Sequence, residues 1–318
     1  MIRPRAAIAA ALLCCSSCLQ AYPVKPLRWI VPIAPGGSND IIARALAQKL
    51  TSALEQSVVV DNRAGGGGIV GTEIAARAAA DGYTLLMVNI SHALNASLHA
   101  KLPYDPARDF AAITQIGAAP NALVVHPSSA ITSVKELIAT AKAAPGKLTY
   151  ASAGNGSSPH LAVELFKLST GTDIVHVPYK GSGPGLIALT GMEVALAFPV
   201  VSSVLPLVKS GRLRVIAVTS AARIFALPDT PTIRESGVAN YEFSAWFGCV
   251  VPAATPRPVI ARLNREMRGV LENAEFKSIY AAQGLELAGS TPDEFSQFLA
   301  AETIRWRNVI SASGMRMN

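Results

Sequence analysis

Residues 27–54 read LRWIVPIAPGGSNDIIARALAQKLTSAL, and this stretch decides the fold. Leu27 to Ile33 is an apolar run of strand length, Pro35-Gly36-Gly37 breaks it, and Ser38 and Asn39 offer an N-cap to the helical pattern that follows. The unit is strand, glycine turn, helix, and it recurs. SVVVDN leads through Gly65 to Gly68 into IVGTEIAARAAA, and YTLLMVN leads through Ser91-His92 into a short helical segment. Farther on, KLTYAS leads through Gly154-Asn155-Gly156-Ser157 into PHLAVELFKLS, and DIVHVPY leads through Gly181-Ser182-Gly183-Pro184 into GLIALT. Such alternation implies an α/β chain whose mostly parallel sheets are flanked by helices.

A chain of 318 residues exceeds the size at which a single core stops growing, so two lobes are expected. The extended segments Ala122 to His126 and Phe243 to Val251 divide it into early, middle and late blocks. The late block is mainly helical. Pro256 opens the pattern VIARLNREMRGVLENAEF, and Thr291-Pro292-Asp293-Glu294 caps a last amphipathic helix through Phe295, Phe298, Trp306 and Ile310. Too few strands follow Phe243 to build a third sheet, so the late helices are expected to return to the first lobe. The expected division is 22–121 plus 244–318 for lobe 1 and 122–243 for lobe 2, with two hinge strands and a cleft between the lobes.

Arg3 and Arg5 precede an apolar run from Ala6 to Cys15, then small residues and Ala21 before Tyr22-Pro23, which is the pattern of a secretion signal over residues 1–21. A lipid anchor at Cys18 is the alternative, although Cys15 stands where a lipoprotein site has an aliphatic residue. The run is too short to span a bilayer. Three of the four cysteines fall in this leader, so the mature chain carries Cys249 alone, expected as a small buried hydrophobe.

Loss of Arg3 and Arg5 lowers the formal net charge from +7 to +5, and the remaining basic residues are scattered singly without aromatic interleaving. Nucleic acid is therefore a poor partner, whereas a small anion remains open. Gly66, Gly68 and Gly71 satisfy G-x-G-x-x-G, but Asn89, Ile90 and Ser91 stand where a dinucleotide site needs an acidic residue, so these glycines read as packing devices. G-x-S-x-G is absent, Pro184 spoils the nearest imitation, and the five histidines include no H-E-x-x-H. No catalytic residue, metal site or cofactor is expected.

What remains is a set of glycine turns, each delivering a helix N-terminus at the carboxyl end of a strand. Unpaired N–H groups and the helix dipole attract anions there, by about 0.3–1 kcal/mol from the dipole and roughly 1.5–3 kcal/mol per charge-assisted hydrogen bond. Two such turns closing from opposite lobes can supply the roughly 8 kcal/mol of micromolar binding without chemistry.

DNRAGGGGIVGTEIAARAAADGYTLLMV, LPYDPARDF, PGKLTYASAGNGSSPHLAVELF, HVPYKGSGP, GRLRVIAVTS and LPDTPT, in this order, resemble the solute receptors of tripartite tricarboxylate transporters, the Bug family. The resemblance spans essentially the whole mature chain. It implies a two-lobed periplasmic binding protein of type II that captures an organic acid and hands it to an inner-membrane permease of one large and one small subunit. By motif, it places the first ligand loop at Ala34, Pro35, Gly36, Gly37, Ser38 and Asp40 and the opposite loop at Ser152, Gly154, Asn155, Gly156, Ser157 and His160. Ser91 and His92 fall at a third loop, and Tyr179 and Lys180 at the VPYKG turn. Backbone amides are expected to do most of the binding. Two departures from the family pattern stand out: Ile33 replaces a frequent phenylalanine, and the run Phe198-Pro199-Val200-Val201 lacks the polar or acidic residue that many members carry there, so the resemblance implies a more apolar wall and a ligand with an aliphatic or aromatic body.

The expectation is thus a monomeric periplasmic receptor for a small carboxylate. Two alternatives stay open: a carboxylate receptor feeding a membrane sensor kinase, and a secreted hydrolase using Ser157 with His160, three residues apart at a helix start.

Overall fold

A computed structural model of the chain describes residues 22–36, 38–99 and 101–313. The leader expected over residues 1–21, with its alternative lipid site, and Gly37 lie outside them.

The first sheet is built around β1 (Leu27–Val31), which runs parallel to β2 (Val58–Asn62) and β3 (Thr84–Asn89). Between β1 and β2, α1 (Ser38–Leu54) buries Ile42, Leu46, Leu50 and Leu54, one apolar residue every fourth position and so one stripe of the helix. Each such side chain contributes about 1.5–3 kcal/mol when fully withdrawn from water. A 3-10 turn over Gly66–Gly68 leads into α2 (Ile69–Ala76), and β3 passes directly into α3 (Ile90–Leu98).

The chain then enters β4 (Phe110–Pro120), passes Asn121, and begins the second sheet with β5 (Ala122–Val125). Next come α4 (Val134–Ala143), β6 (Thr149–Ser152), α5 (Ser158–Thr170), β7 (Val175–Pro178), α6 (Ser182–Thr190), β8 (Leu196–Ala197), α7 (Val201–Lys209) and β9 (Arg214–Val218). The chain returns to the first sheet as β10 (Ser244–Pro252) and ends in α8 (Arg257–Glu272), α9 (Ala274–Ala281), β11 (Glu286–Leu287) and α10 (Pro292–Ser313).

The sheet orders are β11-β4-β10-β3-β1-β2 and β7-β6-β8-β5-β9. Both sheets are mixed. The strand-turn-helix units form parallel groups, β2-β1-β3 and β7-β6-β8, as their helical crossovers require. The strands flanking the two passages between sheets run antiparallel to their neighbours: β10 to β3 and β4, and β5 to β8 and β9. The expectation of mostly parallel sheets therefore holds only for half of each sheet.

Buried clusters cover both faces of both sheets. The last helix packs on α3 and β4, where Phe295 occupies the space that a side chain at Gly248 would fill. Within that contact, Trp246 Nε1 and Trp306 Nε1 each donate to Glu302 Oε2 at 2.9 Å, which satisfies two indoles with one buried carboxylate. Cys249 is fully buried in β10, and burial pushes its thiol pKa far up. Among the described residues no helix is long and apolar enough to cross a membrane.

Candidate functional site

The turn after β1 is clamped by its own helix. Gly36 has φ +83°, a conformation that glycine adopts without strain, and its N–H donates to Asp40 Oδ2 at 2.9 Å. Asp40 Oδ1 accepts from Asn62 Nδ2 at 3.0 Å and pairs with Arg44 Nε at 2.9 Å, while the same Asn62 amide reaches Ile33 O at 3.2 Å. Burial alone would raise the buried Asp40 carboxyl. The Arg44 guanidinium, the Gly36 N–H and the Asn62 amide outweigh it and hold the pKa below the ordinary range. The charge of Asp40 is spent inside the turn, so this residue shapes the loop. Ala34, Pro35 and Gly36 stand exposed at the rim, and Ser38 is half-buried.

The glycine run beside it has a packing cause. A Cβ at Gly71 would lie 2.7 Å from Arg63 O and 2.8 Å from Pro32 Cα, so only glycine lets α2 approach the end of β1 this closely.

At the end of β3, Asn89 caps α3 by accepting from the N–H of Ser91 at 3.0 Å. Ser91 and His92 consequently stand in the first helical turn. The Ser91 hydroxyl lies 3.4 Å from the carbonyl oxygen of Gly156, which brings the third loop of the first lobe against the opposing turn of the second. His92 packs edge-on against Phe110 with ring centroids 5.3 Å apart. Burial lowers its pKa to about 4, against a weaker upward pull from the Pro106 backbone, so the ring is neutral at pH 7.

The second-lobe turn is held by its own side chains. Ser152 Oγ accepts from Gly154 N at 3.0 Å, and His160 Nδ1 accepts from Gly156 N at 3.0 Å. Ser157 donates its N–H and its hydroxyl to Gly154 O, at 3.2 and 2.6 Å. The VPYKG turn is pinned to the same place, because Tyr179 N donates to Ser152 O and Gly181 N to Ala153 O, each at 3.2 Å. Asn155 and Lys180 are exposed, and Lys180 forms no ion pair among the described residues. The N-termini of α5 and α6 have no side-chain cap.

Under this turn, His160 stacks on His176 with centroids 4.1 Å apart, and His176 stacks on Tyr150 at 4.8 Å. Burial lowers the pKa of both histidines, that of His176 to about 4, helped there by His160. Glu164, which would raise them, is engaged by the Tyr150 hydroxyl at 2.8 Å and by Lys167 at 2.9 Å. The Ser157 and His160 pair proposed for a hydrolase is not joined, since each bonds a different backbone group. Ser152 Oγ does lie 2.5 Å from His176 Nε2, but burial makes this ring, with a pKa of about 4, a weak base, and among the described residues no carboxylate bonds it.

Two recesses open at the carboxyl ends of the parallel strands. The first-lobe recess is lined by Ile33, Ser91 and His92 together with Thr72, Asn89 and Asn95. The second-lobe recess is lined by Ser152, Pro159, Ser182, Gly185 and Pro199. Among the described residues no charged side chain lines either one. Of the apolar run expected in the cleft wall, Pro199 alone lines a recess. Phe198 packs on Phe166 in the core, Val201 joins the α6 and α7 cluster, and Val200 packs with the first-sheet residues, because a strand end alternates its side chains between faces. The expected reliance on backbone amides is also narrowed: the N–H groups of Gly36, Gly154, Gly156 and Ser157 already have acceptors. Thr72 and Asn95 carry no local signal in the sequence, Ser182 falls in the glycine turn before α6, and the signal at Asn89 was a cap residue at the end of a strand. Among the described residues no group of three or more His, Cys, Asp or Glu side chains is arranged to hold a metal ion.

Known proteins share this architecture. The Bordetella pertussis protein BugT is 40% identical over 298 residues, 93% of this chain and 91% of BugT. The solved structure of R. palustris Rpa4515 with adipate superposes with a TM-score of 0.88 at 36% identity, covering 93% of this chain and 99% of that one. The solved structure of MatC from Rhodopseudomonas palustris with bound malate gives a TM-score of 0.83 at 27% identity, covering 91% and 100%. The model of the tripartite tricarboxylate transporter family receptor matches residues 42–315. The chain, with its two sheets and the turns that meet at Ser91 and Gly156, belongs to that receptor family.

Proposed function

We propose that this protein is an extracytoplasmic receptor that captures a small organic carboxylate between two lobes, without chemistry, and delivers it to a tripartite transporter. The lobes are 22–121 plus 244–318 and 122–243, and export by residues 1–21 places the mature chain in the periplasm. Its transport partners are one large and one small inner-membrane subunit.

The observation that carries this reading is the pair of uncapped helix N-termini, of α5 and α6, beside the recess of Ser152 and Ser182. Both ends carry partial positive charge and free N–H donors, and the histidines beneath them are neutral, so the field there is that of the dipoles and of Lys180. Ser91, His92 and the first turn at 34–38 close the site from the other lobe. The adipate of Rpa4515 and the malate of MatC support an acid as the ligand class.

Thermal-shift and calorimetric titration of the mature chain against mono-, di- and tricarboxylates tests the proposal. Stabilisation by at least one acid, without turnover of it, is the expected result. Indifference to every acid counts against capture, and conversion of an acid counts against a pure receptor.

A further inference from the structure

We propose that His176 is a positioning residue for capture: through the hydroxyl of Ser152 it fixes the backbone of the second-lobe turn at the start of α5, so that the ligand meets a turn already in shape. This rests on the capture of a carboxylate proposed above.

His176 lies on β7, outside the turn, and the parallel register of β6 and β7 sets it beside Tyr150, two residues before Ser152. Its ring lies between those of Tyr150 and His160, close to parallel with both, at interplanar angles of 18° and 10°. Tyr150 is itself held, since its hydroxyl donates to Glu164 Oε1 at 2.8 Å and Glu164 pairs with Lys167 at 2.9 Å. A ring gripped on both faces has little room to swing, and this one presents Nε2 to Ser152 Oγ at 2.5 Å.

That contact decides where the serine hydroxyl stands. A serine side chain has three staggered positions to choose from, and the one in which Oγ meets His176 also sets it 3.0 Å from the N–H of Gly154. Gly154 has φ +116°, and its carbonyl accepts the N–H and the hydroxyl of Ser157, the N-cap residue of α5, at 3.2 and 2.6 Å. One peptide thereby ties the end of β6 to the start of the helix. The N–H of Gly156, farther along the turn, is held by His160, whose ring is the one stacked on His176. Both side chains that hold amides of this turn therefore lean on the same residue. A turn ordered before the ligand arrives spares the binding step the cost of ordering it.

The test is calorimetry on the mature chain with succinate, malate, adipate and citrate, with melting temperatures taken alongside. For the acid that the wild type binds most tightly, His176→Phe, which keeps a ring in the stack and loses the polar atom, should weaken binding about tenfold, the effect of one ordinary hydrogen bond. Ser152→Ala should weaken it by about the same factor. Because the two residues act as a unit, the double variant should also lie about tenfold below the wild type and not the roughly hundredfold expected of independent effects. His176→Gln, which returns an amide to the place of Nε2, should bind at least about threefold more tightly than His176→Phe, whereas a role in packing alone would follow the ring and leave the glutamine variant the weaker one. Wild-type affinity in His176→Phe, losses that add in the double variant, or a glutamine variant weaker than the phenylalanine one overturns the positioning role and leaves capture intact. If His176→Phe does not fold, Ser152→Ala decides, and wild-type affinity there overturns the role. Failure of all four acids to bind the wild type overturns both.

Discussion

The N–H of Asn121 donates to Thr219 Oγ1 at 2.7 Å, and the N–H of Thr219 donates back to Asn121 O at 2.9 Å, so the outgoing and returning passages between the sheets hold each other. Both residues are fully buried. Thr219 Oγ1 also lies 2.7 Å from Phe243 O, just before β10 begins, and the Asn121 side chain accepts from Ser158 Oγ at 2.9 Å in the first turn of α5. The helix whose N-terminus faces the proposed ligand is thereby fixed to the point where the two sheets are joined. Thr219→Val keeps the shape and removes the hydroxyl, leaving the Asn121 N–H without an acceptor in a dry place. Urea denaturation should show a loss of about 1–3 kcal/mol, largely recovered by Thr219→Ser. An unchanged urea midpoint for Thr219→Val would mean that the tie carries no stability.

Asp40 is the clamp of the first turn. Asp40→Ala removes the acceptor of the Gly36 N–H and a partner of the Asn62 amide and of Arg44 at once, so the backbone at Gly36 loses its tie to the helix. The expected cost is about 1–3 kcal/mol in stability, with weaker binding of any carboxylate that the wild type captures. Lys180→Ala, at an exposed side chain without an ion pair, should leave the melting temperature unchanged. Equal melting temperatures for Asp40→Ala and wild type would sink the clamp.

Gly71 separates a packing role for the glycine run from a ligand role. In Gly71→Ala the new methyl meets backbone atoms on two sides, Arg63 O and Pro32 Cα, and neither can rotate away. Overpacking of this kind costs about 1–3 kcal/mol, visible as a lowered denaturation midpoint. A wild-type midpoint in that variant would show that α2 is free to shift outward.

The strand-turn-helix units were legible because each carries its signal locally: an apolar run, a glycine, then a stripe such as Ile42, Leu46, Leu50 and Leu54. The eleven-residue β4, FAAITQIGAAP, gave no such signal, since it is rich in small residues, lacks a glycine turn and a helix behind it, and pairs with β10 and β11 from much later in the chain. The mixed character of the sheets was hidden for the same reason, as strand direction at β5 and β10 depends on partners far away in sequence. At the candidate site the turns themselves could be read, but not which of their amides were still free. That depends on His160 turning its Nδ1 to Gly156, on Ser152 turning its hydroxyl to Gly154, and on Asp40 reaching back to Gly36. The stack of His176 between His160 and Tyr150 arises from the parallel register of β6 and β7, which sets Tyr150 beside His176.

Buried neutral histidines give the protein a distinct acid limb. His92 and His176 titrate near 4 in the fold, whereas a histidine in the unfolded chain titrates near 6.5. Between those values the unfolded chain binds more protons than the folded one, so stability rises with pH from about 4 to about 6.5 and is fully present above that. The same histidines add no further loss below pH 4, where both states are protonated. The full shift at His92 corresponds to about 3 kcal/mol, and the less buried His176 contributes less. Urea midpoints measured from pH 7.5 down to pH 4 should therefore fall well before the carboxylates titrate, and His92→Phe should flatten that part of the curve relative to its own value at neutral pH. A wild-type midpoint that stays level from pH 6.5 to pH 5 would show that these rings reach water or a proton-accepting partner in solution.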